Sequence, residues 1–189
     1  MGETKFEWAR LGLERGFSLN PFRARDKATG AQGHFCQKIS PGCQHCYASR
    51  LQSRFKMWPY IEANREKIEF YFDRKALDVP LRRRKPTGFF WFDMTDWCLA
   101  DYPAAWTVEC LEVVSATPQH RHAWLTKRPE RIESVFYGEE GRFYLGGGDY
   151  IPNLWLGFSA ENQEEFDKRW LTMRPLANAG WLVWGSLEP

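Results

Sequence analysis

From residue 88 onward the chain repeats one unit, and that repeat limits the fold more than any other feature. Phe89-Phe-Trp-Phe-Asp93, His122-Ala-Trp-Leu-Thr126, Leu154-Trp-Leu-Gly-Phe158 and Trp181-Leu-Val-Trp-Gly185 are short, apolar and rich in aromatics. Each has the pattern of a strand buried on both faces. Between them apolar residues recur at helical spacing: Trp106, Cys110, Val113 and Val114 within 103–116, Ile132 and Phe136 within 129–137, and Phe166, Trp170 and Met173 within 162–173. The strands start roughly 30 residues apart, the length of a strand-helix-strand crossover. Successive right-handed crossovers build a parallel sheet or barrel, so the expected fold is α/β, a partial (β/α) barrel of mostly parallel strands. Ile68-Glu-Phe-Tyr-Phe72 reads as an earlier strand preceding the set. Gly185-Ser-Leu-Glu-Pro189 stops just after the last strand without a covering helix, which points to truncation at the C-terminus.

Asp101-Tyr-Pro103, Lys127-Arg-Pro129 and Ser159-Ala-Glu-Asn162 each put a capping residue or a first-turn proline directly after a strand. Strand ends and helix starts therefore meet in tight loops on one side of the sheet, where α/β folds place their active sites. Asp93, Thr95, Asp96, Lys127, Arg128, Ser159, Glu161, Asn162, Ser186 and Glu188 all fall there. Asp93, Asp96, Glu161 and Glu188 offer acceptors for ammonium or ribose groups, and Lys127 and Arg128 can hold phosphate or carboxylate. Helix capping is an equal reading for Asp96 and Glu161.

A chain of 189 residues is long enough for a real core and reads as a single domain, 1–189, with a cysteine-cluster loop at 36–46. No stretch of about eighteen apolar residues suits a membrane span, and no secretory signal opens the sequence, so a cytoplasmic protein is expected. The net charge of +2 implies no whole-surface attraction to nucleic acid. Arg82-Arg-Arg-Lys85 lies at the N-terminal side of a strand and reads as a solvated run, and Gly146-Gly-Gly148 as a connector, because no helix opens after it to form a phosphate loop. Lys27 to Gly33 reads as a flexible turn. Ten Trp, fourteen Phe and seven Tyr exceed what one core of this size needs, so some are expected to line a cavity.

Cys36-Gln-Lys-Ile-Ser-Pro-Gly-Cys43-Gln-His-Cys46 brings three thiols within reach of one another, with Pro41 and Gly42 turning the chain between them. Both zinc and an iron-sulfur cluster suit such a set. Zinc asks for a fourth ligand, from His34, His45 or Cys98, and none completes a standard pattern. A [4Fe-4S] cluster on three cysteines leaves one iron open, which gives three ligands a reason. Cys110, inside a helical pattern, reads as core, and His120 and His122 lie on the opposite side of the sheet.

The residues Phe6-Glu-Trp8, Ile39-Ser-Pro-Gly-Cys-Gln-His-Cys-Tyr-Ala48, Asp93-Met-Thr-Asp96, Pro118-Gln-His120, Leu125-Thr-Lys-Arg-Pro-Glu-Arg131, Asn153-Leu-Trp-Leu-Gly157, Glu161-Asn-Gln163 and Glu188-Pro189 resemble a phage-associated family of three-cysteine-motif proteins of unknown function. That family looks like small radical S-adenosylmethionine (AdoMet) enzymes, although the C-x6-C-x2-C spacing departs from their usual C-x3-C-x2-C. The resemblance implies a partial barrel with a [4Fe-4S] cluster on Cys36, Cys43 and Cys46 at its mouth. It further implies AdoMet on the open iron, an electron donor, and a carbon radical directed at an unknown, nucleotide-related substrate. Asp93, Asp96, Lys127, Arg128, Ser159, Glu161, Asn162 and Glu188 would then hold cofactor and substrate. The alternative is a zinc-stabilised module that binds nucleic acid or protein without radical chemistry.

Overall fold

The structure, a computed structural model, describes residues 3, 10–137 and 150–187; Phe6 to Trp8, Gly146 to Gly148 and Glu188 lie outside the described residues. In chain order, β1 (Gly16–Leu19), β2 (Phe22–Asp26) and β3 (Gln32–Gly33) precede α1 (Tyr47–Arg54), β4 (Ile68–Phe72) and α2 (Asp78–Arg82). An alternation follows: β5 (Gly88–Trp91), α3 (Ala104–Ser115), β6 (Arg121–Thr126), α4 (Ile132–Tyr137), β7 (Leu154–Ala160), α5 (Gln163–Asn178) and β8 (Leu182–Leu187). Five strands form an all-parallel sheet in the order β1-β5-β6-β7-β8, the partial barrel expected from the repeat. No helix among the described residues is long and apolar enough to cross a membrane.

Alternation along each parallel strand explains the aromatic runs. Phe89, Trp91, Trp124, Leu154, Leu156 and Phe158 point outward into a core shared with Cys110, Leu111 and Val114 of α3, Phe136 of α4 and Met173 of α5. Phe90, Ala123, Leu125, Trp155 and Trp184 form a second cluster with Leu11 on the inner face. Trp184 can cross that face only because residue 157 is glycine: a Cβ there would lie 2.4 Å from the indole ring. The indole N–H donates to the Trp155 carbonyl at 3.3 Å.

Three expectations need correction. Ile68–Phe72 does not lead the parallel set; as β4 it pairs antiparallel with β2 in a separate three-stranded sheet, β3-β2-β4. The parallel sheet starts instead at β1, whose four residues are too few to show a period and whose partner β5 is remote in sequence. Lys27 to Gly33 is an ordered hairpin, with Asp26 accepting from the backbone N–H of Ala28 at 3.0 Å and Thr29 at 2.7 Å before β3 closes it. Finally, β8 is an edge strand paired on one side only, and Leu182 and Leu187 are exposed. An apolar run alone cannot distinguish an edge strand from a central one.

Candidate active site

The C-terminal ends of the parallel strands and the segment after β3 enclose a cavity of about 640 Å³. Cys36, Cys43 and Cys46 line it from one side; Asp93, Asp96, Lys127, Arg128, Ser159, Glu161 and Ser186 line it from the strand ends. Asn162 does not. It caps α5, its side-chain oxygen accepting from the Glu165 N–H at 2.9 Å.

The cysteine segment is tied to the strand ends through backbone and side-chain bonds. Arg128 donates to the Gln37 carbonyl, next to Cys36, and pairs with Asp96 at 2.8 Å. Glu161 accepts from the Gly42 N–H at 3.0 Å, and a Cβ at position 42 would meet the Glu161 side chain at 3.0 Å, so glycine permits the approach. Thr95 donates to the Phe35 carbonyl at 2.6 Å, Tyr47 to the Asp93 carbonyl at 2.6 Å and Tyr60 to the Met94 carbonyl at 2.6 Å. Phe92, the residue just after β5, has a φ of 62°. A left-handed backbone is unfavourable for a bulky side chain, and here it turns Asp93 to Asp96 toward the cavity.

Several predicted ligand groups are engaged within the protein. Asp96 accepts from Thr126 Oγ1 at 2.6 Å, the Cys98 N–H at 3.0 Å, the Lys127 N–H at 3.0 Å and Arg128. It is a hub joining the loop after β5 to the end of β6. Glu161 meets Arg169 at 3.1 Å and Lys127 at 3.5 Å. Burial pushes its carboxyl up, but Ser40, the Gly42 N–H, Arg169 and Lys127 outweigh that and hold it at about 2. Asp93 is raised by burial, against the amide of Asn20 and the hydroxyls of Ser18 and Tyr47. Asn20 and Arg169 were not visible as site residues in the sequence. Asn20 lies just beyond the short strand β1, with its amide on Asp93 and its carbonyl oxygen accepting from the Met94 N–H at 3.0 Å. Arg169 had a signal in retrospect: it is a cation in a helix beside the core positions Phe166, Trp170 and Met173, and only 3% exposed.

Among the described residues no three Cys, His, Asp or Glu side chains stand close enough, as placed, to hold a metal ion. The three thiols fit a cluster by donor chemistry and position, since all are unpaired, half-buried and on the wall of one cavity. Gathering them on a metal takes movement in the turn at Pro41–His45, whose start has no side-chain cap. Burial foremost, then the Asp96 charge, pushes the Cys36 thiol up to about 12 against the pull of Arg128. The other ligand candidates are placed differently. His34 sits against the Phe22 carbonyl at 3.3 Å, held down to about 4 by burial. Cys98 and Cys110 are buried in the core, and of the three expected fourth ligands His45 alone lines the cavity.

This architecture is similar to that of spore photoproduct lyase. A spore photoproduct lyase variant with cysteine replaced by serine superposes with a TM-score of 0.58 at 16% identity, covering 100% of this chain and 48% of that one. A second variant, with bound AdoMet and dinucleoside spore photoproduct, gives 0.54 at 17% identity over 93% of this chain and 46% of that one. A tyrosine-to-phenylalanine variant gives 0.55 at 17% identity, over 88% and 44%. The chain thus spans about half the length of the solved structures it matches, and the likeness is one of fold. The model of a protein family of unknown function (DUF5131) matches residues 27–189, and the chain belongs to that family. No curated protein matches it.

Proposed function

We propose that Cys36, Cys43 and Cys46 hold a [4Fe-4S] cluster at the mouth of the partial barrel, and that AdoMet and a nucleotide-related substrate bind in the cavity beside it. The observation that carries this reading is the sharing of one cavity by three unpaired thiols and the charged strand ends. The AdoMet and dinucleoside bound to the structurally similar lyase support it. When bound, such a cluster would supply the electron that cleaves AdoMet and sets a carbon radical free against the substrate.

The chain's own part is placement and exclusion of water. Arg128, locked by Asp96, holds the Gln37 carbonyl and through it the backbone beside Cys36. Glu161 fixes the turn between Cys36 and Cys43 through Gly42. Phe90, Phe92, Tyr60 and Leu125 give the cavity dry walls. Asp93, raised by burial, faces the cavity as an acceptor for hydroxyl or ammonium groups, and Ser159 and Ser186 add hydroxyls at the ends of β7 and β8.

Anaerobic reconstitution with iron and sulfide tests the proposal. The expected product absorbs broadly near roughly 400 nm with about four irons per chain. Cys36→Ala, Cys43→Ala and Cys46→Ala should each abolish loading, whereas Cys110→Ala, deep in α3, should load normally. AdoMet added to the reduced protein should change the cluster's spin signal. A colourless protein with one zinc, or a cluster lost on Cys98→Ala, overturns the open-iron reading.

A further inference from the structure

Charge is spread unevenly over this chain. Between Asp26 and Glu62 there is no acidic residue, yet Lys27, Lys38, Arg50, Arg54 and Lys56 fall in that interval. With a net charge of only +2 for the whole chain, the remainder is net negative. Elsewhere arginines are matched to carboxylates: Arg23 to Asp73, Arg65 to Asp101, Arg74 to Glu109, Arg82 to Asp78. Among the described residues Lys38, Arg50, Arg54 and Lys56 have no carboxylate partner, although Arg50 also donates to the His45 carbonyl just ahead of its own helix. The basic groups picked out by sequence are different in kind, because Arg128 is held by Asp96, Arg131 donates to the Cys98 carbonyl at 2.9 Å and Arg83 lies over the Phe17 ring.

α1 places Arg50 and Arg54 on one face. Residues 47, 50 and 54 follow helical spacing and are exposed, while Ala48 and Gln52 face the protein. Phe55 comes next, 68% exposed, and Lys56 follows it with a φ of 59° that turns the chain. Tyr47, at the other end, is half exposed and also lines the mouth cavity. The result is a strip of exposed cations without carboxylate partners, flanked by the exposed rings of Tyr47 and Phe55, running from the mouth along α1.

We infer that this strip is a docking surface for a single strand of nucleic acid, its phosphates on Arg50, Arg54 and Lys56 and a base stacked on Phe55. Cations meet phosphate and exposed rings meet unpaired bases, and a ring between cations serves both at once. A folded acidic protein would instead favour an apolar patch with charge at its rim, since lysine is depleted at the centre of such interfaces. A strand lying along α1 passes Tyr47 and reaches the cavity, which gives the nucleotide-related substrate proposed above a polymeric form. The inference deepens that reading, but its binding step needs no cluster.

The test is fluorescence anisotropy of the protein without added metal against a labelled twelve-nucleotide oligothymidylate, with the same length of duplex and an equal charge of polyglutamate as comparisons. Single strand should bind more tightly than duplex. Phe55→Ala should weaken it roughly 5- to 150-fold, the worth of one base-aromatic stack. Arg54→Ala with Lys56→Ala should flatten the log-log salt dependence by about 1.4, at about 0.7 per phosphate contact on a single strand. Arg82→Ala, on the opposite side of the sheet, should change neither. All these residues are exposed, so unchanged circular dichroism certifies folding. Binding indifferent to both α1 variants overturns the inference, as does polyglutamate displacing the strand in a manner that Phe55→Ala does not alter. Loss of cluster loading with oligonucleotide binding retained would sink the cluster proposal alone.

Discussion

The two ends of the parallel sheet bury polar groups in opposite ways. At the start of β6 and β7 the network is neutral: Trp91 donates to His122 Nδ1 at 2.9 Å, leaving Nε2 to donate to Thr117 Oγ1 at 3.0 Å. The Asn153 amide donates to the carbonyls of Val114 and Thr117 at 2.9 and 3.0 Å. At the strand ends, by contrast, Asp96, Arg128, Glu161 and Arg169 are charged and have side chains at most 8% exposed. Buried ion pairs contribute little stability over an apolar alternative, while removal of one partner is costly. The neutral end therefore belongs to folding. The charged end fixes geometry, and what it fixes is the cysteine segment.

The largest effect should follow from breaking the hub. Asp96→Ala strands Arg128 and three further donors, and should cost about 3–5 kcal/mol in urea denaturation, together with cluster loading. Asp96→Asn keeps acceptor capacity but not charge and should fall between. A cost below about 1 kcal/mol would mean that water replaces the carboxylate, and the contrast between the two ends would collapse.

Acidification separates the ends by pH. His122, held down to about 3 by burial foremost and then the His120 charge, is neutral in the folded protein. The unfolded chain takes up its proton near 6.5, so the unfolded state binds more protons below that, and stability falls as pH drops from about 6.5 toward 3. Glu161 is at about 2 when folded against 4.5 unfolded, so its contribution is intact above 4.5 and lost as pH falls toward 2. The neutral end should weaken first, by about 2–3 kcal/mol between pH 6.5 and 4.5 at about 1.4 kcal/mol per unit. His122→Gln should make the fall in melting temperature over that range shallower, leaving the part that His34 and His120, also lowered by burial, contribute, and an unaltered slope would show that His122 adds nothing there.

What the sequence disclosed and what it hid follow from the same division. Runs such as Phe89–Phe92 and Leu154–Phe158 were legible because both faces are buried, and strand ends placed Asp93, Asp96, Lys127, Arg128, Ser159 and Glu161 around one cavity. Their roles were not legible, since a carboxylate's partners come from other elements: Asp96 bonds to Thr126 and Arg128, both on the far side of α3 in the chain. β1 and the β2-β3-β4 sheet escaped for the same reason, because short strands reveal themselves only through pairing. The cationic strip of α1 was hidden by a whole-chain charge near zero.

On the inner face, Gly157→Ala should cost about 1–3 kcal/mol by overpacking, since the new Cβ would lie 2.4 Å from Trp184. Trp184→Leu in the same chain should return part of that loss in thermal denaturation. Additive losses would show that the indole already has room to move, and that residue 157 is not what seats it.

The smallest effect falls on a residue that sequence reasoning placed among the cofactor contacts. Asn162 is exposed, does not line the cavity, and bonds to the Glu165 N–H at the start of α5. Asn162→Ala should lower stability by about 1 kcal/mol, the cost of a lost N-cap. Asn162→Asp should restore it, because a carboxylate caps equally well and favours the helix N-terminus. Neither change should alter AdoMet binding by the reconstituted protein, since Glu161, one residue earlier, faces the cavity while Asn162 faces away from it toward α5. If AdoMet affinity drops in Asn162→Ala and returns in Asn162→Asp, the cap itself sets the position of Glu161, and the charged end of the sheet extends one residue further than its side-chain contacts indicate.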